Sequence, residues 1–301
     1  MSDQEQAPPS NLPAPLPPAL SAAQRAGVVN VVRRAARAEI MPRFRQLSSS
    51  DIRTKSHADD LVTDADTMAE AMIARALQIA FPDAIVIGEE AAAADPGLLE
   101  GMEKAQLAFL VDPVDGTWNF AHGIALFGVI VSATRYGKPV FGMIYDPVAD
   151  DWAIAEEDGV AELARPFGAT RALRVAMGKP LEELSGNIPL HMFAKDMQHQ
   201  LAASFPSFKR VTNMRCSAHE YRLLAQGHMD FLLTASMHPW DHAAGALVAA
   251  RAGAHVEMLD GGPYTANRQT GHLLVAPDKT TWNRLKKVFN FLIAEPDTQE
   301  A

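Results

Sequence analysis

Three features of the sequence predict an α/β layered fold. Amphipathic stretches at helical spacing alternate along the chain with short apolar runs that end at Gly, Asp or Pro. Near the middle, three such runs follow one another through short turns, which requires a largely antiparallel sheet. The chain has 301 residues, 48% of them hydrophobic, enough for one large domain or two packed sub-domains with genuine cores.

Residues 1–20 are rich in Pro, Ala, Ser and Gln and predict a disordered tail. Residues 21–44 turn helical, with Val28, Val32, Ala35 and Ala36 on one face. A second helix is expected over 64–80, with Met68, Met72, Ala76 and Ala80 at four-residue spacing and Phe81-Pro82 closing it. Residues 84–87 read as a strand ending at Gly88, and 108–111 as another, broken at Asp112-Pro113. Strands follow over 124–134, 140–145 and 152–156. A boundary between Gly159 and Arg171 divides the chain into an N-terminal α/β unit, 21–160, and a C-terminal one, 161–301.

In the second unit, 173–176 reads as a strand, 190–203 as a helix, and 218–225 as a helix capped by Gly227. Residues 229–234 form a strand and 241–252 an alanine-rich helix ended by Gly253. Strands are expected at 255–259 and 273–276. Asp278 then caps a final amphipathic helix that reaches Ile293. No internal repeat of fixed period occurs.

Net charge is −9 and the sequence pI about 5.6. That balance argues against a broad nucleic-acid surface, which needs concentrated basic residues. It also raises the question of how such a chain attracts an anion, to which a bound divalent metal is one answer. The single cysteine, Cys216, excludes an intramolecular disulfide and a cysteine-based zinc cage. No signal-like start and no spanning apolar run occur, so a cytoplasmic, non-membrane protein is expected. Neither GxGxxG nor a P-loop is present, which leaves no nucleotide cofactor to expect.

The acidic residues stand at element ends. Asp112-Pro113-Val114-Asp115-Gly116-Thr117 sets two carboxylates three residues apart in a proline-stiffened turn. Such a pair repels unless protons or cations neutralise it. Magnesium suits it, being hard, oxygen-seeking and content with few carboxylates plus water and substrate phosphate. The amides of Gly116, Thr117 and Trp118 follow and can receive phosphate oxygens if they open a helix. Gly88-Glu89-Glu90 follows an apolar strand, Thr63-Asp64-Ala65-Asp66 precedes a helix, and Pro239-Trp240-Asp241 begins one. One of the acids before the 64–80 helix, or Asp241, would alone serve as a cap; the four stretches together point to one site.

These motifs resemble the inositol monophosphatase family of magnesium-dependent, lithium-sensitive phosphatases. The matching stretches are 59–66 (DDLVTDAD), 88–90 (GEE), 112–120 (DPVDGTWNF) and 239–245 (PWDHAAG), in the family's order and spacing. The resemblance implies a five-layered αβαβα sandwich with an antiparallel-rich first sheet and a mixed second one. It implies a homodimer and two magnesium ions, with a third in some members. By that resemblance Glu89, Asp112 and the Val114 carbonyl hold the first metal, and Asp112, Asp115 and Asp241 the second. Asp115, Gly116 and Thr117 line the phosphate site. Glu89 and Thr117 activate the attacking water, and Asp66 orients Thr117. Lys55 matches a basic residue that supports the acidic cluster or the substrate.

The expected reaction is hydrolysis of a small phosphate monoester, inositol monophosphate first. A histidinol-phosphate phosphatase, a 3'(2'),5'-bisphosphate nucleotidase, and a regulatory RNA- or protein-binding member of the fold are the alternatives. Substrate choice is where the pattern departs. Thr234 stands where inositol-selective relatives carry a glutamate, and 215–221 (RCSAHEY) replaces a glycine-serine-alanine stretch. Thr234, His219 and Glu220 are therefore the candidate residues for selecting the leaving group.

Overall fold

The computed structural model describes residues 19–55 and 61–293. Residues 1–18 of the expected tail lie outside them, as do Asp59 and Asp60 of the first acidic motif and residues 294–301. Packing starts inside the expected tail, since Leu20 is 4% exposed in the core.

Helix α1 (Ala22–Ala35) opens with a capping box in which Ser21 and Gln24 satisfy each other's backbone N–H groups. It buries Val28, Val29, Val32 and Ala35 and runs on through a π-helical turn, Ala36–Ile40. Strands β1 (Ile52–Thr54) and β2 (Leu61–Thr63) form an antiparallel ribbon. Helix α2 (Asp64–Ala80) begins on a second capping box, Thr63 with Asp66. Next come β3 (Ile85–Gly88), α3 (Glu89–Ala94), β4 (Ala108–Asp115) and α4 (Thr117–Ala121). Strands β5 (Gly128–Arg135), β6 (Lys138–Asp146), β7 (Asp151–Glu156), β8 (Glu162–Ala164) and β9 (Arg171–Ala172) complete a sheet ordered as in the chain. Its β3–β4 pair is parallel and the rest antiparallel.

The second half contributes β10 (Ser185–Asn187), α5 (Lys195–Ser204), β11 (Arg210–Thr212), α6 (Ser217–Ala225) and β12 (Phe231–Leu233). It ends with α7 (Pro239–Arg251), β13 (His255–Met258), β14 (Leu273–Ala276) and α8 (Lys279–Val288). Its sheet runs β11-β10-β12-β14-β13 and is mixed, with β10 parallel to β11 and β12.

Side-chain alternation along the strands sorts the chain into five layers. Val129, Val131 and Ala133 of β5 pack toward α1 and α2, whereas Ile130 faces α6 and α7. In β14, Leu273 and Val275 join that middle layer, while Leu274 and Ala276 meet Trp282, Leu285 and Phe289 in and after α8. The order is α, β, α, β, α, the sandwich that the motifs imply.

Several local expectations differ. The strand expected over 124–134 begins at Gly128, and the last α-helix ends at Val288, with a 3-10 turn over Asn290–Leu292 before Ile293. Strand 108–111 does not break at Asp112-Pro113 but continues to Asp115 through a register shift, where Pro113 owes no ladder bond. Residues 173–176 form no strand; single bonds from Leu173 to Ala161 and from Val175 to Ala252 pin the segment instead. The helix expected at 190–203 starts at Lys195, after a 3-10 turn over Leu190–Met192. Helix α7 begins at Pro239, a residue suited to the first helical position, so Asp241 lies within its first turn and not at its cap.

Candidate active site

Strand β4 is buried along its whole length and delivers Asp112 and Asp115. Two residues three apart in a regular strand point to opposite faces. Here Asp112 pairs with Ile130 and Asp115 with Gly128, so three steps on β4 match two on β5. The extra residue of this bulge restores parity and turns both carboxylates the same way. They meet Asp241 from the first turn of α7, and one oxygen from each of the three lies within 4.8 Å of the others.

This cluster fits a cation. Asp112 is 1% exposed, and its Oδ1 has no hydrogen-bond partner. Burial, then the charges of Glu89, Asp115 and Asp241, push its carboxyl well above the usual range. Burial and Asp241 bring Asp115 up to about 7. Three oxygen donors that oppose one another's ionisation suit a hard divalent ion.

Glu89 opens α3 beside Asp112, and Lys55 Nζ lies 2.8 Å from its Oε1 and 2.6 Å from Glu90 Oε1. Burial works against the Lys55 charge, but the two carboxylates outweigh it and hold the ammonium above its ordinary pKa. Burial and Glu89 lift Glu90 to about 7. Behind them stands Glu70 of α2, which the motifs did not single out. Its carboxylate accepts from Glu90 N at 2.7 Å and Ala91 N at 3.0 Å, capping α3 from outside. A Cβ on Gly88 would stand 2.1 Å from that carboxylate, which explains the glycine before Glu89. The available signal was the four-residue spacing of Asp66 and Glu70, which sets both on one helix face.

After Asp115 the chain turns at Gly116, whose φ of 87° favours glycine. A side chain there would also meet the Leu126 carbonyl at 2.9 Å. Thr117 Oγ1 lies 2.9 Å from the Val114 carbonyl and 3.1 Å from Asp66 Oδ1. Asp66 is itself held by Thr63 N and Oγ1 through its Oδ2. Burial lifts its carboxyl to about 6 against those bonds.

Lys55, Glu89, Asp112, Val114, Asp115, Gly116, Thr117 and Asp241 line one cavity of about 890 Å³, to which both halves of the chain contribute walls, whereas Asp66, Glu70 and Glu90 stand outside its lining. Thr234 lines it but is 3% exposed, and its hydroxyl accepts from Leu273 N at 2.8 Å and faces Met237 Sδ. That hydroxyl is committed to the end of β14. Glu220 also lines the cavity; it accepts from Met214 N, and burial raises it to about 8. His219 instead turns to the Phe127 carbonyl at 3.1 Å, away from the lining residues. Cys216 is buried with Sγ 3.0 Å from Asp115 Oδ2, an oxygen that also accepts from Ala218 N. Asn187, at the end of β10, was not foreseen: it is 1% exposed, lines the cavity, and its Oδ1 has no partner.

Residues 22–292 match the profile of the inositol monophosphatase family. An inositol-1-monophosphatase of Mesorhizobium japonicum is 34% identical over 211 residues, which covers 67% of this chain and 74% of that protein. A Nus factor SuhB of Vibrio cholerae is 30% identical over 230 residues, 74% of this chain and 80% of that one. The solved IMPase of Thermotoga maritima shares the fold at a TM-score of 0.75 and 22% identity, over 90% of this chain and 98% of that one. A match that spans nearly every described element, around an acidic centre fit for a metal, settles the kinship: the chain belongs to the inositol monophosphatase family and is a metal-dependent phosphoric monoester hydrolase.

Proposed function

We propose that this chain hydrolyses inositol monophosphate with magnesium as its metal. The convergence of Asp112, Asp115 and Asp241 within 4.8 Å, with Asp112 Oδ1 unpartnered, carries the reading. Those three carboxylates would hold one ion, and Glu89 with Asp112 and the Val114 carbonyl would hold a second. A carbonyl has two lone pairs, so Val114 can accept from Thr117 and still face a cation. The metal, when bound, acidifies water and neutralises charge on the leaving oxygen.

The chain's own groups do the rest. The Thr117 hydroxyl directs its proton to Val114 or Asp66, which leaves its lone pairs to accept from and orient the attacking water. Glu89, with Lys55 beside it, takes the proton from that water. Asp66, fixed by Thr63, keeps the Thr117 rotamer in place. The Gly116–Thr117–Trp118 amides at the start of α4 receive phosphate oxygens, as helix starts do.

The test is phosphate release from myo-inositol 1-phosphate. Release should require magnesium, vanish in EDTA and fall in millimolar lithium; full turnover after chelation would overturn the metal reading. The likeness to Nus factor SuhB proteins favours one second reading, a regulatory member of the fold. It would gain if magnesium binds but no ester is cleaved, with histidinol phosphate and an adenosine 3',5'-bisphosphate in the panel.

A further inference from the structure

Strands β11, β10 and β12 run parallel in the second sheet, and the register of Asn187 with Thr212 and with Leu232 brings their C-terminal ends to one edge. Ligands of open α/β sheets bind beyond such ends. Here the edge faces the cavity: Asn187 ends β10, Asn213 follows β11, Thr234 follows β12, and all three line it. The clustered carboxylates and the Gly116 turn come instead from α3, β4 and α7. Two of the three strand-end side chains are committed. Asn213 Nδ2 donates to His191 Nδ1 and its Oδ1 accepts from Arg215 N, both at 2.9 Å. The Thr234 hydroxyl accepts from Leu273 N. Asn187 differs: it is 1% exposed, and its Oδ1 has no hydrogen-bond partner among the described residues. A buried oxygen left so has lost its water without replacement, and calls for a partner. Its backbone is held by pairing on both sides, so the carboxamide is presented from a fixed point.

We propose that Asn187 determines specificity: its carboxamide hydrogen-bonds a hydroxyl of the leaving group, so that phosphate esters of polyols are cleaved in preference to esters of plain alcohols. The inference rests on the phosphatase reading and deepens it. With the transferred phosphate held at the carboxylates and the Gly116 turn, the strand-end edge is the wall left for the alcohol. A half-turn of the carboxamide exchanges its oxygen and nitrogen, and a hydroxyl both donates and accepts, so the two satisfy each other in either sense. A plain alkyl group in that place leaves the amide unpaired, and a site built around a substrate hydroxyl rejects the analogue that lacks it. The amide carries no charge, so it reads the alcohol without repelling the phosphate or competing for a cation. Thr234 cannot supply this contact while its hydroxyl holds the start of β14.

Glycerol 2-phosphate and isopropyl phosphate test this, since both are secondary esters and they differ only in two hydroxyls. Their alcohols also differ in acidity, a contribution that wild type and variants share. The readout is therefore the change between proteins in the ratio of kcat/KM for the two esters, at saturating magnesium. N187L keeps the side-chain volume and removes the amide, and N187A removes it without overpacking, so a folded variant is at hand. Each should lower the ratio of glycerol 2-phosphate to isopropyl phosphate by about tenfold, the scale of one hydrogen bond to a buried group. N187S, which keeps a hydroxyl, should retain part of the preference. An unchanged ratio in a folded variant overturns the proposal. So does an equal loss on both esters, which would assign Asn187 to the fold or to the transferred phosphoryl group. Metal-dependent release with a ratio indifferent to substitution sinks Asn187 alone, whereas no release from either ester in the wild type sinks the phosphatase reading with it.

Discussion

Asp112 and Asp64 show how two aspartates from the acidic motifs differ at the residue scale. Asp112 is buried with an unpartnered oxygen among three other acids. Asp64 is about half-exposed and pairs with Arg53 at 2.9 Å, a surface contact that contributes little. D112N removes a charge that two ions would share, and its loss of turnover should exceed the roughly 10–100-fold typical of outer partners of metal ligands. D64N should remain close to wild type. Steady-state rates of both folded variants check this, and equal losses would mean that the roles are misassigned. The identity of these residues was legible in the sequence because DPVDGTWNF and PWDHAAG are specific strings. What Thr234 does was not, because its hydroxyl is taken by Leu273, 39 positions away, and no local pattern carries such a pairing.

At the scale of elements, the long periodic segments were legible and the short ones were not. Helix α2 runs over the expected 64–80 and takes Thr63 as its cap, but it buries the row Ala65, Ala69, Ile73 and Leu77, while Met68 and Ala80 of the expected row face solvent. Strands of two or three residues, such as β1, β8 and β11, are too short for alternation to be read. The bulge in β4 escaped for another reason: Pro113 looks like a break, while the pairing with β5 that carries the strand through is non-local. Helix α3 illustrates what such an omission hides. It is six residues long, too short to stand alone, and its first amides are held by Glu70 from a neighbouring helix. E70A should therefore loosen Glu89 without unfolding the chain. The expected result is a rise of about tenfold in the magnesium concentration for half-maximal turnover, the scale of an outer-partner effect. An unchanged magnesium dependence would show that α3 holds its position without Glu70.

At the scale of the whole molecule, the metal cluster ties together elements from both halves of the chain. Asp112 and Asp115 leave the seven-stranded sheet, Asp241 comes from α7 in the middle layer, and Asp115 also receives the Ala218 amide of α6. Bringing three carboxylates together opposes folding while they carry charge and no cation is present. A bound ion reverses that sign and adds the free energy of its own binding to the folded state. At a magnesium concentration a hundredfold above Kd the gain is about 2.7 kcal/mol, which for a chain of this size raises Tm by about 4 °C. D241N separates the two effects. In EDTA it removes one of the mutually repelling charges, so its Tm should equal or exceed that of the wild type. In magnesium it lacks a ligand, so its gain should shrink and the order of the two proteins should reverse. Thermal unfolding of both proteins, with and without magnesium at neutral pH, gives all four values. If D241N melts below the wild type in EDTA, Asp241 serves the fold as a helix-start residue. If both proteins gain equally from magnesium, the ion binds elsewhere and the cluster must be reassigned.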